Sequence, residues 1–151
     1  MPKAIPDGYH AVTPYLTFRD AAKAIEFYKQ ALGAKEVVRM PMPGGKIGHA
    51  ELKIGDSMVM LADEAPEFGN KSAKTIGGSP IGLCLYTDNV EAVAAKFCKA
   101  GGKVVKAIEL QFYGDRSGQF EDPEGYKWTL AQHVEDVSPE EMEKRMAKMG
   151  G

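Results

Sequence analysis

Two periodicities alternate along the chain. From His10 to Phe18 apolar and polar positions alternate in twos, which predicts a strand with Thr13, Tyr15 and Thr17 on one face and Val12, Leu16 and Phe18 on the other. Pro14 removes a backbone donor, so this strand is expected at an edge or with a bulge. The period then lengthens to that of a helix: Asp20 caps it, Ile25, Tyr28 and Leu32 form its apolar stripe, and Gly33 stops it. Strands over Lys35–Met40, Ile47–Ile54 and Met58–Ala62 follow, separated by Pro43-Gly44-Gly45 and Gly55-Asp56. On the second of them Ala50 and Leu52 share one face, and His49, Glu51 and Lys53 share the other.

The order then repeats. Asp63 to Pro80 has many breakers and little period, and reads as a connector or lid. Ile81–Thr87 is a strand, Asp88 caps a helix with the stripe Val90, Val93 and Phe97, Gly101-Gly102 end it, and Lys103–Ile108 is a strand. A hairpin closes the half: a strand over Gly118–Glu121, a turn at Asp122-Pro123-Glu124-Gly125 and a strand over Tyr126–His133. Pro123 presets φ and Gly125 accepts a positive one, so the turn is cheap. Its last strand places Tyr126, Trp128 and Leu130 on a core face and Thr129, Ala131 and His133 opposite.

The distance from Asp20 to Gly33 equals that from Asp88 to Gly101, which points to an internal duplication. The expected fold is therefore α+β: a single domain over 1–151, with βαβββ modules at about 9–62 and 81–134, a connector at 63–80, and a C-terminal helix at 138–149. That helix has Ser138 at its N-cap, Pro139 at its first position and Glu140 and Glu141 in its first turn.

Composition narrows the partners. The 151 residues are 44% apolar, enough for a packed interior, and the net charge of -2 comes without a basic stripe. A nucleic-acid or anionic-membrane binder is thereby disfavoured, and a small ligand is expected. Cys84 and Cys98 lack zinc or redox spacing and read as small buried hydrophobes of a reducing compartment. No signal-peptide pattern opens the chain, and no apolar run approaches the roughly 20 residues of a membrane helix, so a cytoplasmic location is expected.

The repeated modules, the phrase RDAAKAIEFYKQALGAK and the phrase EDPEGYKWTL resemble the vicinal oxygen chelate superfamily over nearly the whole chain. That superfamily includes glyoxalase I, bleomycin and fosfomycin resistance proteins and extradiol dioxygenases. GHAELKIGDSMVMLADE, YGDRSGQFEDPEGYKW and HVEDVSPEEMEKR are most similar to its PhnB-like branch, many of whose members lack an assigned reaction. The resemblance implies two half-cups of mixed sheet enclosing a cavity, and commonly a homodimer. In metal-dependent members, His, Gln or Glu from the first and last strands of each module hold a divalent ion. Counting from the motifs places those positions at Thr13, Met60, Gly82 and Thr129. A hydroxyl, a thioether, a glycine and a second hydroxyl cannot replace imidazole and carboxylate, so no metal cofactor is expected.

Candidate chemistry concentrates elsewhere. His49 and Glu51 could form a solvated pair, bind substrate, act as acid and base, or hold a nonstandard metal with His10 or His133. Thr13, Tyr15, Met60, Phe112, Tyr113 and Thr129 are the expected cavity lining. Arg116 would bind a ligand anion with Asp115 orienting it, unless the two form a surface ion pair. His10 and His133 read as ordinary surface groups. The expected function is metal-free binding of a small organic molecule in an aromatic-lined cup. The alternatives are a metal-dependent lyase, isomerase or dioxygenase, or a metal-independent acid/base enzyme using His49 and Glu51.

Overall fold

The computed structural model describes residues 1–150. Its first half contains β1 (Tyr15–Phe18), α1 (Ala21–Leu32), β2 (Lys35–Pro41), β3 (Ile47–Ile54) and β4 (Ser57–Asp63). These strands form one mixed sheet in the order β1-β4-β3-β2, with β1 parallel to β4. A short α2 (Ala73–Ile76) precedes β5 (Gly82–Tyr86), α3 (Val90–Lys99), β6 (Lys103–Leu110), β7 (Asp115–Glu121) and β8 (Lys127–His133). The second sheet has the matching order β5-β8-β7-β6, again with its first and last strands parallel. The chain ends in α4 (Pro139–Met149). The α+β expectation of two βαβββ units and a terminal helix thus holds. Among the described residues no helix is long and apolar enough to cross a membrane.

Several boundaries differ from expectation for local reasons. β1 begins at Tyr15, because Pro14 has no N–H to donate; its carbonyl instead accepts from the Met60 N–H at 2.9 Å. Asn89, not Asp88, caps α3, its side chain accepting from the Ala92 N–H at 3.1 Å. With Ala100 as its C-cap, α3 has 10 residues against 12 in α1, so the equal spacing was fortuitous. The repeat rests on strand order. The connector is also folded: Ser72 is buried, and the Glu64 carboxylate accepts from the Ser72 N–H at 2.9 Å and the Thr75 hydroxyl at 2.7 Å. Led by the backbone bond from Ser72, those bonds hold Glu64 down at about 2.

One face of each sheet packs against the helices. Leu16, Phe18, Ala50, Leu52, Val59 and Leu61 of the first sheet are buried, as are Phe120, Trp128 and Leu130 of the second with Phe97 of α3. The halves meet where Phe27 of α1 stands edge-on to Phe97, ring centroids 5.0 Å apart. Beside this contact lies the Asp122-Pro123-Glu124-Gly125 turn. Glu124 accepts from the backbone N–H groups of Arg19 at 2.9 Å and Asp20 at 3.0 Å. The Tyr126 hydroxyl donates to the Thr17 carbonyl at 2.8 Å and accepts from the Thr17 N–H at 3.1 Å.

Asp122 is the centre of this junction. One carboxylate oxygen accepts from the N–H groups of Glu124 and Tyr126, both at 3.0 Å. The other accepts from Trp128 Nε1 at 3.1 Å and from the hydroxyl of Tyr28, on the other half of the chain. Burial pushes its pKa up, although the four donors pull the other way. Asp122→Asn keeps two acceptor bonds but turns a donor toward Trp128 Nε1, and should cost about 1–3 kcal/mol. Asp122→Ala should cost more, by orphaning buried donors. Urea unfolding at constant m-value measures both. A raised folded pKa gives a contribution fully present below the unfolded aspartate pKa and lost as pH rises through the folded one. That downward slope in stability should disappear in Asp122→Asn.

Candidate functional site

The strand pattern that buries one face presents the other to solvent. On the first sheet, register places Tyr15 beside Met60, Met60 beside Glu51, and His49 beside Met40, all pointing away from α1. A chain of hydrogen bonds crosses this open face. The Tyr15 hydroxyl lies 2.8 Å from His49 Nδ1, and His49 Nε2 lies 2.8 Å from a Glu51 carboxylate oxygen. The other Glu51 oxygen accepts from the hydroxyl of Tyr9, which the N-terminal arm lays across the sheet. Tyr9 is pushed up to about 12, first by burial and then by Glu51. Tyr15 is raised by burial and the same charge, whereas Glu51 is lowered by its bonds from Tyr9 and His49.

Tyr15 is 51% exposed, whereas the side chains of His49 and Glu51 are 22% and 18% exposed. Anything docking here therefore meets Tyr15 first. Beside it opens a cleft of about 560 Å³ between the sheet and the connector, lined by Tyr15, Thr17, Met42, Lys46, Phe68 and Asn70. The connector thus builds one wall. A larger hollow, about 820 Å³, lies on the helix side around α1 and the Asp122 turn. The carboxylates of Asp122 and Glu124 there are already bonded to the fold, so it offers less free chemistry.

The second sheet carries a different cluster. Asp115 is only 4% exposed; it accepts from the Tyr86 hydroxyl at 2.7 Å and contacts His133 Nδ1 at 2.8 Å. His133 Nε2 in turn meets Asp136 at 2.7 Å. Carboxylates only accept, so a ring bonded to one at each nitrogen carries both protons. Its pKa is raised accordingly, by Asp136 first and Asp115 second. His133 is therefore no idle surface group. Spacing alone gave no sign of this, because Asp115 is 18 residues away in sequence and meets His133 only through strand register.

The remaining sequence candidates divide. Thr129 is on the open face of β8 beside Cys84, and Tyr113 sits in the β6–β7 turn with its ring against Phe112, centroids 5.2 Å apart. The Phe112 carbonyl accepts from Arg145 of α4 at 2.9 Å, so this turn anchors the terminal helix. Gly114 belongs to the same anchor: its φ is +103°, and a Cβ there would stand 2.1 Å from the Glu135 carbonyl oxygen. Arg116 is misplaced as an anion binder, since alternation turns it away from Asp115 and into an ion pair with Glu91 of α3. Cys84 is exposed rather than buried. His10 is exposed and bears on neither cluster.

The same register tests the metal positions. Thr13 precedes β1, so Met60 has Tyr15 as its inward neighbour; Cys84, not Gly82, lies beside Thr129. Phenol, thioether, thiol and hydroxyl do not make the imidazole–carboxylate set of a divalent centre. Among the described residues no three His, Cys, Asp or Glu side chains are gathered as ligands. Both nitrogens of His49 are engaged within its own chain of bonds.

Residues 9–130 match the family model described as the glyoxalase/bleomycin resistance protein/dioxygenase superfamily. The chain belongs to that superfamily. Among relatives, the uncharacterized protein Mb0911c of Mycobacterium bovis is 41% identical over 143 residues, covering 93% of this chain and 94% of that one. A solved gene product of Arabidopsis thaliana, AT5G48480, superposes with a TM-score of 0.67 at 28% identity, over 82% of this chain and 98% of its own. A PhnB protein from Bacillus cereus gives 0.64 at 16% identity, over 82% and 99%, which speaks for the superfamily fold alone.

The His133 bridge makes a pH prediction. With a folded pKa above the ordinary value of about 6.5, its contribution is fully present below that value and lost as pH rises through the folded one. NMR titration of the ring protons should show Asp136→Asn bringing the His133 midpoint down toward the ordinary range. An unchanged midpoint would contradict the bridge.

Proposed function

We propose that this superfamily member, of the PhnB-like kind, binds a small flat organic molecule on the open face of its first sheet without a metal ion. The carrying observation is the half-exposed Tyr15, held by the His49–Glu51–Tyr9 chain beside a cleft whose lining mixes Met42, Ile47 and Phe68 with polar and charged side chains. Tyr15 and Phe68 with the Met42 thioether in the cleft lining, Met60 beside Tyr15 in register, and a fixed hydroxyl are what orient a planar ligand. The volume of about 560 Å³ falls within the roughly 300–1,000 Å³ of small-molecule sites. The donor set around Met60 and Thr129 supports binding that does not rely on a metal.

A homodimer is part of this reading. Tyr15, Met40 and Tyr86 leave more than half of their surface exposed on open sheet faces, apolar area that a second copy would cover. Cys84 and Cys98 are both free, in keeping with a reducing cytoplasm.

Elemental analysis of the purified protein comes first, with thermal shifts in Zn²⁺, Ni²⁺, Mn²⁺ and Fe²⁺ beside shifts in a set of aromatic small molecules. The expected result is substoichiometric metal, no metal-induced shift, and stabilisation by an aromatic compound. Tyr15→Ala and Met60→Ala should each weaken that compound by about tenfold or more, whereas Arg116→Ala should not. Stoichiometric metal that vanishes in His49→Ala would overturn the proposal.

A further inference from the structure

The open-face hydrogen bonds have a direction. Glu51, with its pKa lowered, is an acceptor at both oxygens, so the proton between it and His49 belongs to Nε2. A neutral ring then has its lone pair at Nδ1, and the Tyr15 hydroxyl donates to it across 2.8 Å. That leaves the Tyr15 oxygen with acceptor capacity for a docked donor, on a side chain that is half-exposed and lines the cleft.

We infer that Tyr15 and His49 form a proton relay that binds an aromatic ligand through an acidic, phenol-type hydroxyl and takes its proton. The ligand O–H bond breaks as its proton passes to the Tyr15 oxygen. In the same event the Tyr15 O–H bond breaks and its proton passes to His49 Nδ1. The products are a bound phenolate, which accepts a hydrogen bond from Tyr15, and an imidazolium stabilised by Glu51. No electron changes hands, and no co-reactant is needed. Tyr15 itself never holds the negative charge, in keeping with its raised pKa. Lys46 lines the same cleft, as do Asp63 and Glu64, whose carboxylates are already bonded to backbone N–H groups, and Glu67. The groups facing the relay are Tyr9 from the arm, Met40 from β2, Glu51 and Lys53 from β3 and Met60 from β4. Tyr9 holds Glu51 in place and acts as a positioning residue.

This inference rests on the binding site proposed above, and p-nitrophenol separates the two, because its phenol and phenolate forms absorb at different wavelengths. Binding is followed by equilibrium dialysis and ionisation by absorbance, in buffer about one pH unit below the probe's own midpoint. In the wild type the bound probe's midpoint should fall by at least about one unit, a tenfold rise in the ratio of phenolate to phenol. His49→Gln should bind the probe more weakly and without the phenolate band, with far-UV circular dichroism confirming its fold. Tyr15→Phe should likewise lose the band. In the wild type p-nitroanisole, which has no acidic hydroxyl, should bind without a spectral change. Saturable binding of p-nitrophenol with no band, or a band retained in His49→Gln, would overturn the relay and leave the binding site standing. If p-nitroanisole bound but p-nitrophenol did not, the hydroxyl preference would fail. If neither bound, the relay and its ligand class would both fall.

Discussion

The buried carboxylate of Asp122 is the constraint on which the two halves depend. A charged group under cover is costly unless its lone pairs are met, and here four donors meet them, one being Tyr28 from the opposite half. Because that donor arrives on α1, the carboxylate is satisfied only when the second hairpin is seated against the first module. Glu124, two residues on, repeats the device at the start of α1, using backbone donors that a helix N-terminus leaves unpaired. The turn thus joins the halves with directional bonds, which apolar packing between Phe27 and Phe97 alone would not supply.

Fixing the helix sides together frees the other faces. Each sheet turns one apolar face to the shared core, and each open face carries Tyr, His and carboxylate. In the first module the histidine lies between a carboxylate and a hydroxyl, so one nitrogen keeps a lone pair to use. In the second it lies between two carboxylates, which engage both nitrogens and raise its pKa. The first arrangement can exchange a proton; the second is a clamp. The chain following that clamp is tied down in turn, since Val134 and Glu135 both donate to the Gly114 carbonyl at 3.0 Å and Arg145 bonds Glu135 at 2.6 Å.

Much of this was legible in the chain, for identifiable reasons. Alternation separated Ala50 and Leu52 from His49 and Glu51, and Trp128 from Thr129, because a strand's period is fixed by backbone geometry. The Asp122 turn was equally legible from Pro123 and Gly125. What escaped were contacts between distant segments. Tyr9 reaches Glu51 across 42 residues, and no local pattern marks an otherwise irregular arm. The pairing of Asp115 with Arg116 failed for the opposite reason: neighbours in a strand face opposite ways, so adjacency argued for the wrong partner. Counting to Thr13 overran the strand, since Pro14 ends the ladder before it.

The register also bears on what the open faces offer a divalent ion. Two inward positions on adjacent parallel strands, Tyr15 with Met60 and Cys84 with Thr129, stand where a bidentate donor pair would be needed in each half. None of the four side chains is an imidazole or a carboxylate, so a divalent ion would gain little there. Yet the backbone that positions them does not depend on the ion, because the halves are joined from the helix side by Asp122, Glu124 and the α1–α3 contact. The open face can therefore change its chemistry without loss of the fold. On the first sheet that chemistry is a phenol with an imidazole directly behind it, a pair joined by hydrogen bonding alone.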